Sequence, residues 1–159
     1  MCEPRPGDRL SELLAEAKSL ATRYYDLTGR PLGITGEVAE YEASRLLGMQ
    51  LAEVRQAGFD ATYDVEDKRI RVQIKGRRLP ENPSPGQRIG QIRLDKEWDS
   101  VALVLLGPDF EAREIWEAER DAIEQALTEP GSKARNERGA LSVNKFKAIG
   151  RLRWEKTHG

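Results

Sequence analysis

Six consecutive apolar residues, Val101-Ala102-Leu103-Val104-Leu105-Leu106, run without a polar break and are closed by Gly107-Pro108. A short apolar run ended by a turn pair is the pattern of a strand buried on both faces. Such a strand needs a layer above and below it, which places it at the centre of a sheet in an α/β domain. With 159 residues, the chain is long enough for one such domain, burying roughly two-thirds of its unfolded surface without disulfide or metal staples.

The flanking helices are written in the apolar spacing. Leu10, Leu13, Leu14, Ala17, Leu20, Ala21, Tyr24 and Leu27 recur every three to four residues before Gly29 and Pro31, so residues 1–30 hold an amphipathic helix whose role is packing. Thr35 is placed to cap a second helix that runs to Gly48 and carries Glu37 in its first turn. An acid there complements the helix dipole by about 0.3–1 kcal/mol whatever else it does. Residues 49–56 fit either a short strand or a turn of helix. Glu111 to Glu117 reads as a strand turning back after Pro108-Asp109, and Ile123, Ala126 and Leu127 mark a helix ended by Pro130-Gly131. Residues 132–140 read as loop, Ser142 as the cap of a short helix carrying Val143, Phe146 and Ile149 inward, and Trp154 as an anchor for the tail. No internal repeat, heptad array or low-complexity segment is visible. The expected fold is therefore α/β, a central mixed β-sheet flanked by helices, with an extra helix at the N-terminal end.

Between the second helix and the buried strand lies a stretch of alternating character. Ile70, Val72 and Ile74 alternate with Arg71, Gln73 and Lys75, and the polar Glu66-Asp67-Lys68 suits a tight reversal that pairs residues 61–65 with 70–75. Gln73 and Lys75 then share one face, with Asp60 near the end of the second strand and Arg77-Arg78 just beyond. Taken alone, this is a charged surface hairpin. Residues 79–90, with three prolines and two glycines, read as a loop over the adjoining surface.

Composition removes several kinds of chemistry. His158 is the single histidine and Cys2 the single cysteine, so a zinc site, a His-centred nuclease, a Ser-His-Asp triad and an internal disulfide lack material. Gly-x-Gly-x-x-Gly and Gly-Lys-Ser/Thr phosphate loops are absent. No apolar run reaches the length of a membrane span, and the expectation is a soluble, cytoplasmic protein with no membrane partner. The net charge of −1 hides an asymmetry: residues 97–129 carry ten acids against two bases, residues 130–159 eight bases against two acids, and residues 65–96 nine bases against four acids. The two basic segments could share one positive face suited to nucleic acid, although a pI near 6 is not that of a tight non-specific DNA binder.

Asp60 followed by Gln73-Ile74-Lys75 resembles the Asp…(Glu/Gln)-x-Lys half of the PD-(D/E)xK nuclease superfamily, the group of restriction endonucleases and Holliday-junction resolvases. The glutamine form is similar to the Mrr-type endonucleases. The resemblance covers residues 33–106 and implies a restriction endonuclease-like core in a single domain spanning residues 1–159, with residues 107–159 as a strand, helix and basic extension. It implies a metal-dependent DNA endonuclease with Glu37, Asp60, Gln73 and Lys75 as catalytic residues. Glu37, Asp60 and Gln73 would hold Mg²⁺ or Mn²⁺, with the Ile74 carbonyl as a further donor, and Glu40, on the same helical face as Glu37, is the alternative helix carboxylate. Lys75 would act on the charge of the phosphate. Arg77, Arg78, Arg88, Lys145 and Lys147 are the candidate DNA contacts, and a homodimer is an assembly the sequence allows. The superfamily also carries a helix between its third and fourth strands, for which only residues 94–99 are available. Two other readings stand beside the enzyme: a nuclease-like domain that binds nucleic acid or a protein without cutting, and an antitoxin-like partner protein using its acidic segment.

Overall fold

The computed structural model describes residues 6–53, 58–83, 86–129 and 140–157. Cys2, His158, Val54, Pro130-Gly131 and residues 132–139 of the expected loop lie outside them. The chain order is α1 (Pro6–Thr28), α2 (Thr35–Leu47), β1 (Gln50–Leu51), β2 (Ala61–Val65), β3 (Lys68–Arg78), β4 (Ser100–Leu106), β5 (Ala112–Glu119), α3 (Arg120–Thr128), α4 (Val143–Ile149) and β6 (Arg151–Glu155). Among the described residues the strands form one six-stranded sheet in sequential order. β3 and β4 run parallel and the other neighbours antiparallel, so the sheet is mixed.

β4 is buried along its whole length, as its apolar run requires, and its alternate residues feed two cores. Ala102, Val104 and Leu106 join Val72, Ile74 and the α2 residues Val38, Ala39 and Ala43 on one face. Val101, Leu103 and Leu105 join Ile123, Leu127, Val143 and Phe146 of α3 and α4 on the other. The β2–β3 hairpin turns in two residues, with Val65 opposite Lys68 and Glu66 at a positive φ of 55°.

Three local expectations change. Thr35 is the first helical residue of α2 rather than its cap, and Ile34 precedes it without a side-chain bond; the Thr35 methyl is instead pressed towards Gly76 of β3. Residues 94–99 form turns rather than a helix. The Arg120 guanidinium holds them, donating to the carbonyls of Leu94, Lys96 and Trp98 while stacking 4.5 Å over the Trp98 ring. The tail is more than an anchor at Trp154: residues 151–155 add a sixth strand, paired with β5. Ser142 does cap its helix, accepting a bond from the Lys145 N–H at 3.0 Å.

The close seating of α2 on β3 depends on Gly76. A Cβ there would lie 2.7 Å from the Ala39 Cβ and 2.9 Å from the Thr35 carbonyl oxygen. Gly76→Ala should therefore destabilise the protein by roughly 1–3 kcal/mol, the range for forcing a methyl into a packed core. Chemical denaturation of the two proteins measures it.

Candidate functional site

The site forms where β2 stops accompanying β3. Ala61 pairs with Val72, and β2 does not extend to cover Ile74. The Ile74 N–H is instead bonded at 2.7 Å to Oδ2 of Asp60, whose own N–H donates to the Val72 carbonyl at 2.8 Å. A buried backbone donor needs an acceptor, and here a carboxylate supplies it in place of a strand. Asp60 therefore lies along the sheet edge rather than on the face shared by Gln73 and Lys75. Gly58, at a φ of 104°, makes the turn into it, and a Cβ at Gly58 would crowd Glu97 and Lys96 at 3.1 Å.

Gln73 and Lys75 alternate with Val72 and Ile74, so they point to the face opposite α2, opposite Val101 and Leu103 in the parallel register. The Gln73 Nε2 reaches the Gly58 carbonyl at 3.5 Å, and its Oε1 is buried with no hydrogen-bond partner among the described residues. Lys75 is half-buried; burial lowers the pKa of its ammonium below the ordinary 10.5, and the Asp60 carboxylate offsets that only in part. It makes no ion pair among the described residues.

From the other side of the sheet α2 contributes Glu40. Its carboxyl is half-buried and its pKa is raised, first by burial and then by the charges of Asp60 and Glu37. Glu37 is exposed one turn earlier in the helix. Glu40 and Lys75 each feel the Asp60 charge across the sheet edge, which makes Asp60 their shared neighbour. Among the described residues no three Asp, Glu, His or Cys side chains cluster tightly enough to hold a metal alone. The available donors are carboxylate and amide oxygens, the set a hard divalent cation takes.

The expected DNA contacts are dispersed. Arg77, past Lys75 on the same face, donates to the Gln87 side chain at 3.1 Å and lines a cavity of about 430 Å³ with Arg78, Tyr25 and Thr35. Arg78 has a structural task, donating to the Pro108 carbonyl at 2.9 and 3.1 Å and stacking 4.0 Å over Tyr25. Arg88 is exposed, and its backbone bridges to Ser142. Lys145 is paired with Glu129 and Lys147 with Glu114, each at 3.0 Å. Among the described residues these two lysines are thus paired with acids of the 97–129 segment, whose strands lie between β3 and β6 in the sheet.

Sequence reasoning missed a second polar cluster. Glu117 is 3 % exposed on β5, yet it accepts from Ser100 Oγ at 2.6 Å, the Tyr63 hydroxyl at 2.8 Å, Arg151 at 3.1 Å and Arg153. Despite burial, these donors hold its carboxyl below the ordinary carboxylate range. The alternation of Arg151 and Arg153 with Leu152 and Trp154 was the available signal. No protein-family model matches the chain, and no curated protein matches it in sequence.

The pKa directions set a test. Glu40 keeps its proton to higher pH when folded, so its charge costs stability once the pH has risen through its folded value, and the cost vanishes below about 4.5. Lys75 loses its proton more readily when folded, so its charge costs stability at neutral pH and the cost fades as pH rises towards 10.5. In metal-free buffer, Glu40→Gln and Lys75→Met should each raise the melting temperature at pH 7.5. The first gain should shrink on acidification and the second on alkalinisation.

Proposed function

We propose that the chain hydrolyses phosphodiester bonds in DNA with the help of a divalent cation, Mg²⁺ or Mn²⁺. The observation that carries this reading is the buried Gln73 Oε1, unpartnered among the described residues, next to the residue that Asp60 braces. A buried acceptor without a donor costs on the order of 1–3 kcal/mol unless something fills the position. Asp60 braces the adjoining Ile74, Glu40 and the half-buried Lys75 each feel the Asp60 charge, and Lys75 has no ion pair among the described residues; acids and an ammonium about one aspartate are what the resemblance to the PD-(D/E)xK nucleases implies.

In this reading Asp60, Glu40 and the Gln73 amide oxygen hold the cation, with the Ile74 carbonyl in reach and Glu37 one helical turn away. When bound, the cation would supply Lewis-acid polarisation of the phosphate and a lower pKa for a bound water. Asp60 is fixed by its bond to the Ile74 N–H, so the carboxylate needs no reorganisation on binding. Lys75 offsets negative charge gathering on the phosphate as the bond breaks. Arg77 and the adjoining cavity take the backbone phosphate next along the strand.

The glutamine in place of a third acid, and the pairing of Lys145 and Lys147, favour a second reading: a related domain that holds DNA without cutting it. The enzyme reading expects cleavage of linear, supercoiled or branched DNA with Mg²⁺ or Mn²⁺, and a fall of at least about 100-fold for Asp60→Ala or Lys75→Ala. It also expects Mg²⁺ to raise the melting temperature of the parent protein but not of Asp60→Ala. Gln73→Glu should bind the cation more tightly, through the added charge. DNA retention without cleavage by the parent and Gln73→Glu, and no thermal shift with either ion, would establish the second reading.

A further inference from the structure

α1 has two apolar faces, and the body of the protein uses one. Leu14, Lys18, Ala21 and Tyr25 turn inward, with Ala21 fully buried and Lys18 paired to Glu42 at 2.9 Å. The other row is Leu10, Leu13, Ala17, Leu20, Tyr24 and Leu27, set roughly 100° round the helix at 3.6 residues per turn. In that row Leu10 is 48 % exposed, Leu13 61 %, Leu20 51 %, Tyr24 38 % and Leu27 87 %. Its spacing alternates three and four residues over the helix, the a and d positions of a coiled coil. In the sequence that seam is concealed by the inward-facing Leu14 and Ala21, which widen the stripe.

We infer that this face pairs with the same face of a second copy of the chain, the two α1 helices lying antiparallel about a two-fold axis between Ala17 and Leu20. The charges beside the seam choose both partner and direction. With Leu10 and Tyr24 at a and Leu13 and Leu27 at d, the flanking g positions are Glu16 and Arg23, both exposed and without an ion pair among the described residues. Antiparallel pairing that sets Ala17 against Leu20 of the other copy brings Glu16 against Arg23 twice, once on each side of the axis. Parallel pairing sets Glu16 against Ala21 and Arg23 against Thr28, where no charge is met. Antiparallel helix dipoles also attract. Six side chains from each helix bury on the order of 1,000 Å² in total, near the lower limit of a specific interface, which suits a dimer with a dissociation constant on the order of 10–100 µM.

Sedimentation equilibrium of the full chain from about 5 to 500 µM should show the mass rising from 17.9 kDa towards twice that value. Leu13→Glu with Leu20→Glu should hold it at the monomer mass with an unchanged circular dichroism spectrum. Should that variant fail to fold, the charge variants carry the test, since both sites are exposed. Glu16→Arg and Arg23→Glu should each weaken self-association at least about tenfold, and an equimolar mixture of the two should recover a dimer containing one chain of each. A monomer across the whole range, or a dimer indifferent to the leucine substitutions, overturns the inference. A dimer lost with the leucines but unmoved by the charge variants overturns the antiparallel register.

Discussion

One backbone group organises the candidate site. β3 continues beyond the end of its pairing with β2, and the amide of Ile74 would be left without an acceptor had Asp60 not turned its carboxylate inward. That single requirement fixes the position of an acid at the sheet edge. The consequence is reach in two directions: Glu40 approaches from α2 on one face, and Lys75 extends from β3 on the other. Neither face alone brings the three groups together. Gly76, which lets α2 sit against the strand, is the packing condition for the first approach, and Gly58, which turns the chain into Asp60, is the backbone condition for the second.

The charged surface follows a different logic. A buried carboxylate is tolerable only when its lone pairs are met. Glu117 meets that condition by recruiting Ser100 and Tyr63 together with Arg151 and Arg153 from β6. The half-exposed Asp99 is met by Arg71, whose backbone and guanidinium both donate to it, and its pKa is lowered by that side chain. The acidic middle of the chain is thus neutralised by the basic segments before and after it. Among the described residues, Lys75 and Arg77 form a short row near the site without an acidic partner.

The legible features were those with a local cause. Val101–Leu106 announced a doubly buried strand by apolar continuity, and Ile70, Val72 and Ile74 announced a half-buried one by alternation. The cap at Ser142 was legible because hydroxyl capping acts over three residues. What escaped depends on distant partners. β6 carries only a short alternation of its own, and its partners lie far off on β5, where Glu117 is 34 residues from Arg151 along the chain. The choice between Glu37 and Glu40 could not be read from helical spacing, since both lie on one face and only the seating of α2 sets which meets Asp60. The α1 stripe declared itself apolar, but periodicity cannot tell an inward face from an outward one.

The contrast between α1's anchor and the candidate site separates structural charge from charge held for another purpose. Among the described residues the buried polar and charged side chains Lys18, Glu42, Ser100 and Glu117 are all satisfied. Lys18 is the clearest case: burial alone would lower its pKa, yet Glu42 and Glu111 raise it. Lys75 is half-buried and its pKa falls, because Asp60 compensates too little. Glu40 is pushed the opposite way by burial and by acids of its own sign, and Gln73 Oε1 has no donor among the described residues. One fold therefore satisfies its buried charges in two places and leaves three groups around Asp60 and Ile74 in poor company at a third. Local violations of this kind, in a chain that otherwise obeys the rule, are where a missing ligand has most to contribute. An oxygen-seeking cation beside an anionic phosphate would relieve all three: it attracts the carboxylates, accepts the amide oxygen, and gives the ammonium a negative neighbour.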